Sequence, residues 1–142
     1  MRRRYRLALA ATAVAIAAGL TPGTAAATPS EGVTGEILAQ ATVGARDYVI
    51  RKVTIAPGGT TGWHFHDGML YGMVTEGTLT HYKSDCTIDG VYNAGGTIVE
   101  PSGHGYVHMG RNIDAGPMVL YVLYSNPAGS PLSEDAPAPD CA

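Results

Sequence analysis

Two histidines separated by one residue, His64 and His66, lie in the stretch GWHFHDG. Residues i and i+2 of an extended strand project to the same face, so the two imidazoles lie side by side if this stretch is a strand. A third histidine, His108, follows in GYVHMGRN. Imidazole nitrogens that converge from two strands can bind one divalent ion at about 2.0–2.2 Å. The pattern predicts a three-histidine site for Fe, Mn, Zn, Ni or Cu, and the alternative is an exposed histidine pair without a ligand.

The elements that must position these side chains are short strands. Apolar or alternating runs such as YVIRKVTI and MVLYVLY are separated by turns rich in glycine and proline, among them APGGT, NAGG and PSGHG. In YVIRKVTI, Arg51 shares one face with Val49, Val53 and Ile55, whereas MVLYVLY is apolar on both faces, as in a strand between two layers. Closely spaced strands with this punctuation predict a single all-β domain, either a sandwich or a barrel.

The N-terminus has the composition of a secretory signal peptide. MRRRYR is basic, small residues precede Thr28, and the apolar run from Leu7 to Leu20 is short for a bilayer span of about 20 residues. We expect cleavage after Ala27, secretion by the general or the twin-arginine route, and no stable membrane span afterwards; a transmembrane anchor is the alternative. Residues 28–142 carry five basic and twelve acidic residues, a net charge of −7, which argues against nucleic acid as a partner.

The composition divides the chain into four predicted segments. They are a signal peptide (1–27), a flexible lead-in (28–34), a β-barrel domain (35–127) and a Pro-rich acidic tail (128–142). The two cysteines, Cys86 and Cys141, indicate a disulfide in an exported chain, which would tie the tail to a mid-chain loop. Closing a loop of this length stabilises a domain by about 4 kcal/mol by the chain-entropy argument. Free thiols or two soft metal ligands are the alternatives.

The spacing of the histidines resembles the two motifs of the cupins. The first motif contains a glycine, five residues, H-x-H and a later glycine, and it is matched from Gly58 to Gly77. The second includes G-x-x-H-x-x-x-N and is matched from Gly105 to Asn112. The resemblance covers about half of the chain that follows the signal. It implies a double-stranded β-helix, the cupin jelly-roll barrel, with a metal inside, and it makes a homodimer through the outer sheets an additional expectation.

One position departs from the cupin pattern. The first motif of the family carries a glutamate ligand, which the spacing places at Leu70 or Tyr71, and neither residue is a carboxylate. We therefore expect a site of three histidines, completed by water or weaker in its metal affinity. A divalent ion without an anionic ligand keeps its full charge, which favours an anionic substrate in the vacant place. Some cupins that activate dioxygen, the thiol dioxygenases among them, use three histidines in this way.

Further side chains are candidates for a pocket at the metal. Those expected to line it are Leu70, Tyr71, Met73, His81 and Tyr106. His104, four residues before His108, is a candidate proton donor or fourth ligand, and Tyr71 is a second candidate catalytic group. The alternative for His104 is a solvated loop histidine.

Three functions are compatible with these features. The first is a secreted cupin that binds a divalent metal and acts on a small molecule as an oxygenase or an isomerase. The second is a non-catalytic extracellular module that binds a small ligand or a metal. The third is a structural domain whose barrel holds no metal. Metal content and turnover distinguish the three.

Overall fold

The computed structural model describes residues 26–142, so the predicted signal peptide lies outside the described residues except for Ala26 and Ala27. The strands of this part of the chain are β1 (Glu31–Val43), β2 (Arg46–Thr60), β3 (His64–Phe65), β4 (Met69–Glu76), β5 (Thr78–Lys83), β6 (Ile88–Asn93), β7 (Thr97–Glu100), β8 (His108–Arg111), β9 (Met118–Pro127) and β10 (Glu134–Asp135). Residues 26–142 contain no helix, and therefore none that could cross a membrane. The predicted all-β class is confirmed.

The strands form one antiparallel sheet that curls into a nearly closed barrel. Its order is β10-β3-β8-β2-β9-β4-β7, with β1 beside β2 and with β5 paired to both β6 and β8. The long ladders of β9 with β2 and β4 form the wall. Strand β3 is short, and it lies between β8 and β10. This arrangement is consistent with the jelly roll that the resemblance implied.

The core is formed mainly by the inner face of the wall strands β2, β4 and β9, with one residue each from β5 and β7. Its buried members are Val49, Val53, Ile55, Leu70, Val74, Leu79, Ile98, Met118, Leu120, Val122 and Tyr124. The alternation predicted for YVIRKVTI is confirmed, and Arg51 is half-buried on the same face. The two-sided burial predicted for MVLYVLY is wrong, because Tyr121 and Leu123 are exposed on the outer face of β9.

Both ends of the barrel extend beyond the predicted boundaries 35–127. The lead-in is not flexible throughout, because β1 begins at Glu31 and pairs with β2. The tail contains β10, and the amide of Ala136 donates to the carbonyl of Trp63 at 2.8 Å. Cys86 and Cys141 form the predicted disulfide. The tail is therefore packed against the segment that carries the first two histidines.

Candidate metal centre

The three predicted histidines lie together inside the barrel. His64 on β3 is the cross-strand partner of His108 on β8, and His66 follows two residues after His64. Their ring centroids are 4.4 Å apart for His64 and His108 and 5.2 Å apart for His66 and His108. All three side chains are buried. The two-residue spacing and the antiparallel return of the chain thus bring the imidazoles to one place.

A carboxylate also belongs to this cluster, which corrects the prediction of a site without an acid group. Glu100 ends β7, is 7% exposed, and places Oε2 3.0 Å from Nε2 of both His66 and His108. Its cross-strand partner on β4 is Leu70, one of the two positions where the cupin spacing places the glutamate. Paired residues of a ladder have neighbouring side chains. The carboxylate of Glu100 on β7 therefore lies next to the position on β4 where the family pattern has its glutamate ligand.

The hydrogen bonds of the histidine rings fix which nitrogen faces the cluster. Each Nδ1 has a backbone carbonyl as its partner: Gly62 for His64 (2.9 Å), Leu132 for His66 (2.7 Å) and Tyr106 for His108 (2.9 Å). A carbonyl only accepts, so each Nδ1 carries a proton, and in the neutral ring that binds a metal each Nε2 presents a lone pair to the cluster. Metal-binding histidines are oriented in this way.

The atoms that face one another across the cluster fit a bound cation. Nε2 of His66, Nε2 of His108 and Oε2 of Glu100 are buried and have no hydrogen-bond partner among residues 26–142. Ligand atoms of these three residues and of His64 all lie within 4.8 Å of one another. Three imidazoles and one carboxylate suit Mn, Fe, Zn, Ni or Cu(II). A soft ion prefers thiolate ligands, and neither cysteine can supply one because both are in the disulfide.

The protonation states also suit a metal. Burial, followed by the neighbouring His108 and His66, lowers the pKa of His64 to about 3, so this imidazole is neutral at ordinary pH. Burial is the largest influence on Glu100 and raises its pKa, but the Nε2–H groups of His108, His66 and His81, which face the carboxylate, outweigh burial and hold that pKa well below its ordinary value. A bound metal would replace the Nε2 protons of His108 and His66. Burial likewise lowers the pKa of His81, and the carboxylates of Glu100 and Asp89 outweigh this effect and raise it. A metal ligand must be deprotonated, as His64 and Glu100 are.

A small cavity of about 60 Å³ adjoins the cluster inside the barrel. Leu70 and His81 lie in its wall, as predicted, together with apolar side chains such as Leu79. The prediction for Tyr71 and Met73 is wrong, since each is 46% exposed on the outer face of the barrel. The alternation of β4 is the reason, because Leu70 points inward and Tyr71 and Met73 therefore point outward.

The loop before β8 holds two further predicted residues. The ring of Tyr106 lies 4.9 Å from that of His108, and its hydroxyl donates to Asp89 at 3.2 Å, so Tyr106 packs beside the site and not in the cavity wall. His104 is exposed and its ring packs on Phe65 at 4.4 Å. His104, a candidate fourth ligand or proton donor, is not part of the ligand cluster, which agrees with the alternative of a solvated loop histidine. Tyr71, a candidate catalytic group, lies on the outer face, away from the cluster.

Comparisons with known proteins agree with this architecture. A family profile described as "Cupin domain" matches residues 51–124, about half of the chain. An oxalate oxidase solved in complex with glycolate is 26% identical, with a TM-score of 0.54 over 66% of this chain and 50% of that one, so this chain spans about half of its length. The polyketide cyclase RemF from Streptomyces resistomycificus is 21% identical, with a TM-score of 0.61 over 76% of this chain and 74% of that one.

A cupin-like protein from Thermotoga maritima msb8 is 19% identical, with a TM-score of 0.60 over 75% of this chain and 77% of that one. No curated protein matches the sequence. The likenesses below 25% identity concern the fold, and they agree with the family profile and with the spacing of the motifs. The chain belongs to the cupin family.

Proposed function

We propose that this chain is an exported, metal-dependent oxidase of a small carboxylate. The observation that carries the proposal is the buried set of three imidazoles and one carboxylate, whose ligand atoms all lie within 4.8 Å of one another. Burying a carboxylate and several imidazoles in one place is costly unless the group is paired or binds a metal. A cation removes that penalty.

The charge of the site favours an anionic substrate. Three neutral imidazoles and the Glu100 carboxylate leave one net positive charge on a divalent ion. When bound, such an ion supplies Lewis-acid and redox chemistry to ligands in its open positions. The four ligand side chains would hold the ion, while apolar walls such as Leu79 and Val122 keep bulk water out of the cavity.

The volume of the cavity favours a substrate of a few heavy atoms. About 60 Å³ exceeds the space that one water molecule needs, but it is far below the roughly 300–1,000 Å³ of pockets for drug-sized ligands. The oxalate oxidase that resembles this chain is described in complex with glycolate. Oxalate and glycolate are two-carbon acids, and they are the first substrates to test.

Secretion is part of the proposal. The segment 1–27 has the composition of a signal peptide, and the Cys86–Cys141 disulfide is of a kind that persists in oxidising compartments. An extracellular enzyme also has direct access to dioxygen. With dioxygen as the electron acceptor, the oxidation of one oxalate dianion and two protons releases two molecules of carbon dioxide and one of hydrogen peroxide.

The test combines metal analysis with turnover of protein purified from an exporting host. We expect about one divalent ion per chain, and oxygen uptake with formation of hydrogen peroxide when oxalate or glycolate is added to protein loaded with Mn(II) or Fe(II). His66→Ala should lose both metal and turnover. His104→Ala is the matched control, because it removes an exposed imidazole that does not touch the cluster. Absence of stoichiometric metal in the wild type would refute the proposal.

The second candidate is a non-catalytic module that binds a metal or a small ligand, and the small volume of the cavity favours it. In that case the wild-type protein holds the ion stoichiometrically, and His66→Ala loses it. No oxygen uptake follows with either acid under air. Metal binding without turnover would therefore replace the first proposal by the second.

A further inference from the structure

His81 lies beside the four proposed ligands, and its imidazole stands between two carboxylates. It is 1% exposed on β5. Its Nδ1 hydrogen-bonds Oδ1 of Asp89 at 2.6 Å, and its Nε2 lies 3.3 Å from Oε1 of Glu100. The second contact is within ion-pair distance and does not meet the geometry of a hydrogen bond. The hydroxyl of Tyr106 donates to Oδ2 of Asp89, which fixes the outer carboxylate.

These contacts divide the two oxygens of Glu100 between two tasks. Oε2 faces Nε2 of His66 and of His108, whereas Oε1 faces His81. A carboxylate with both oxygens free can bind an ion through one oxygen or through two. With Oε1 held by an imidazole, Oε2 is the oxygen available to a metal.

Building on the proposed metal site, we propose that His81 is a positioning residue, anchored by Asp89, that holds Glu100 as a single-oxygen ligand and so tightens metal binding. The hairpin of β5 and β6 carries both His81 and Asp89, so it supports the site without supplying a ligand. Outer-shell partners of this kind are typically worth about 10–100-fold in metal affinity.

Three variants test this role through the dissociation constant of Mn(II), measured by isothermal titration calorimetry on the purified protein. His81→Ala removes both contacts and should raise that Kd by about 10–100-fold. His81→Gln keeps an N–H donor for Glu100, and Asp89→Asn keeps the imidazole but weakens its anchor, so both should raise the Kd by smaller factors. Asp85→Asn is the matched control: this exposed carboxylate in the turn of the same hairpin bonds to Thr87, and its loss should leave the Kd unchanged.

The paramagnetic resonance spectrum of bound Mn(II) separates positioning from folding. We expect the spectrum to change in His81→Ala and to return toward the wild-type form in His81→Gln, while thermal unfolding of the metal-free proteins reports whether each variant folds. If His81→Ala does not fold, the other two variants decide. Wild-type Kd and spectrum in the folded variants would overturn the role of His81 alone, whereas a wild-type protein that binds no Mn(II) would overturn the proposed site and this inference together.

Discussion

Replacing Glu100 by glutamine should separate the role of this side chain as a ligand from its role in folding. The carboxylate is 7% exposed, and Oε2 lies 3.0 Å from Nε2 of His66 and of His108. Glutamine keeps the shape, removes the negative charge and offers an N–H to an imidazole lone pair. In the metal-free protein, a neutral hydrogen-bonding group thus replaces a buried charge. Because the facing imidazoles hold the pKa of Glu100 well below its ordinary value, the carboxylate stabilises the metal-free fold, and we expect the free energy of unfolding of that form to fall at pH 7.

With metal present a second loss of stability is added. An ion at 100 times its Kd stabilises the wild-type protein by about 2.7 kcal/mol. Outer-shell changes alone weaken metal binding by about 10–100-fold, so the loss of an anionic ligand should weaken it by about 100-fold or more. At the same ion concentration the Glu100→Gln variant then gains about 0.4 kcal/mol or less. Since 1 kcal/mol corresponds to roughly 4 °C in a domain of this size, the metal-induced rise in Tm should fall from about 11 °C to below about 2 °C.

The assay is thermal unfolding of both proteins in a chelator and at one fixed concentration of Mn(II). Glu76→Gln is the matched control, because it makes the same chemical change at an exposed position on β4 and should keep the full rise. A wild-type rise in Glu100→Gln would refute the assignment of Glu100 as a ligand. An equal loss of Tm with and without metal would show that the side chain acts on folding alone.

Two further predictions concern the scaffold. Cys141→Ser opens a loop with a sequence separation of 55 residues and should lower the free energy of unfolding by about 4 kcal/mol; denaturant titration measures this, and an unchanged midpoint would contradict it. Thr42 and the amide of Gly129 hydrogen-bond the carboxylate of Asp47 and hold its pKa below its ordinary value of 3.8. Because the folded pKa is the lower one, this stabilisation is present above the unfolded pKa and is lost as the pH falls through the folded one. Asp47→Asn should therefore lower Tm at pH 7 and have a smaller effect near pH 3, and a difference in Tm that does not depend on pH would contradict this linkage.

The strands and the histidine cluster could be predicted because their signals are local. Alternation along YVIRKVTI identified the inward face of β2, and the glycine-rich turns identified the ends of strands. The i, i+2 spacing of His64 and His66 needed only an extended backbone. Placing His108 in the same cluster also required the chain to return on an antiparallel strand. The structure confirms this, because His64 and His108 are cross-strand partners.

Glu100 was missed because its place depends on the register of two strands. The family pattern looks for the acid along β4, whereas here the carboxylate comes from β7, opposite Leu70. One local signal was available in TIVE, where alternation puts Glu100 on the same face as Ile98, and Ile98 is in the core. An acidic residue on the apolar face of a strand needs a partner or a metal. The sequence does not show which strand lies beside it.

Tyr71 and Met73 were assigned to the wrong face for a different reason. Between His66 and β4 the chain passes through Gly68, where an added Cβ would overlap the carbonyl oxygen of Ser125. The alternation that began at His64 nevertheless continues in phase through this close approach, because His66, Gly68 and Leu70 are all buried. Counting by two from the histidines therefore gives the inward face of β4, with Leu70 inside and Tyr71 and Met73 outside. The wrong assignment came from choosing pocket residues by side-chain type and not by this count.

The C-terminal tail contributes to the candidate metal centre although it supplies none of the four candidate ligands. Strand β3 has only two residues, so it depends on neighbours on both sides: β8, through the His64–His108 pair, and β10 in the tail. The tail also supplies the carbonyl of Leu132 that orients the ring of His66. Beyond β10, the disulfide joins Cys141 to Cys86, which lies in the turn between β5 and β6. This hairpin carries His81 and Asp89, the residues proposed to position Glu100. The imidazoles and the carboxylate are thus held by segments that are joined covalently, so a change that loosens the tail should weaken metal binding as well as the fold.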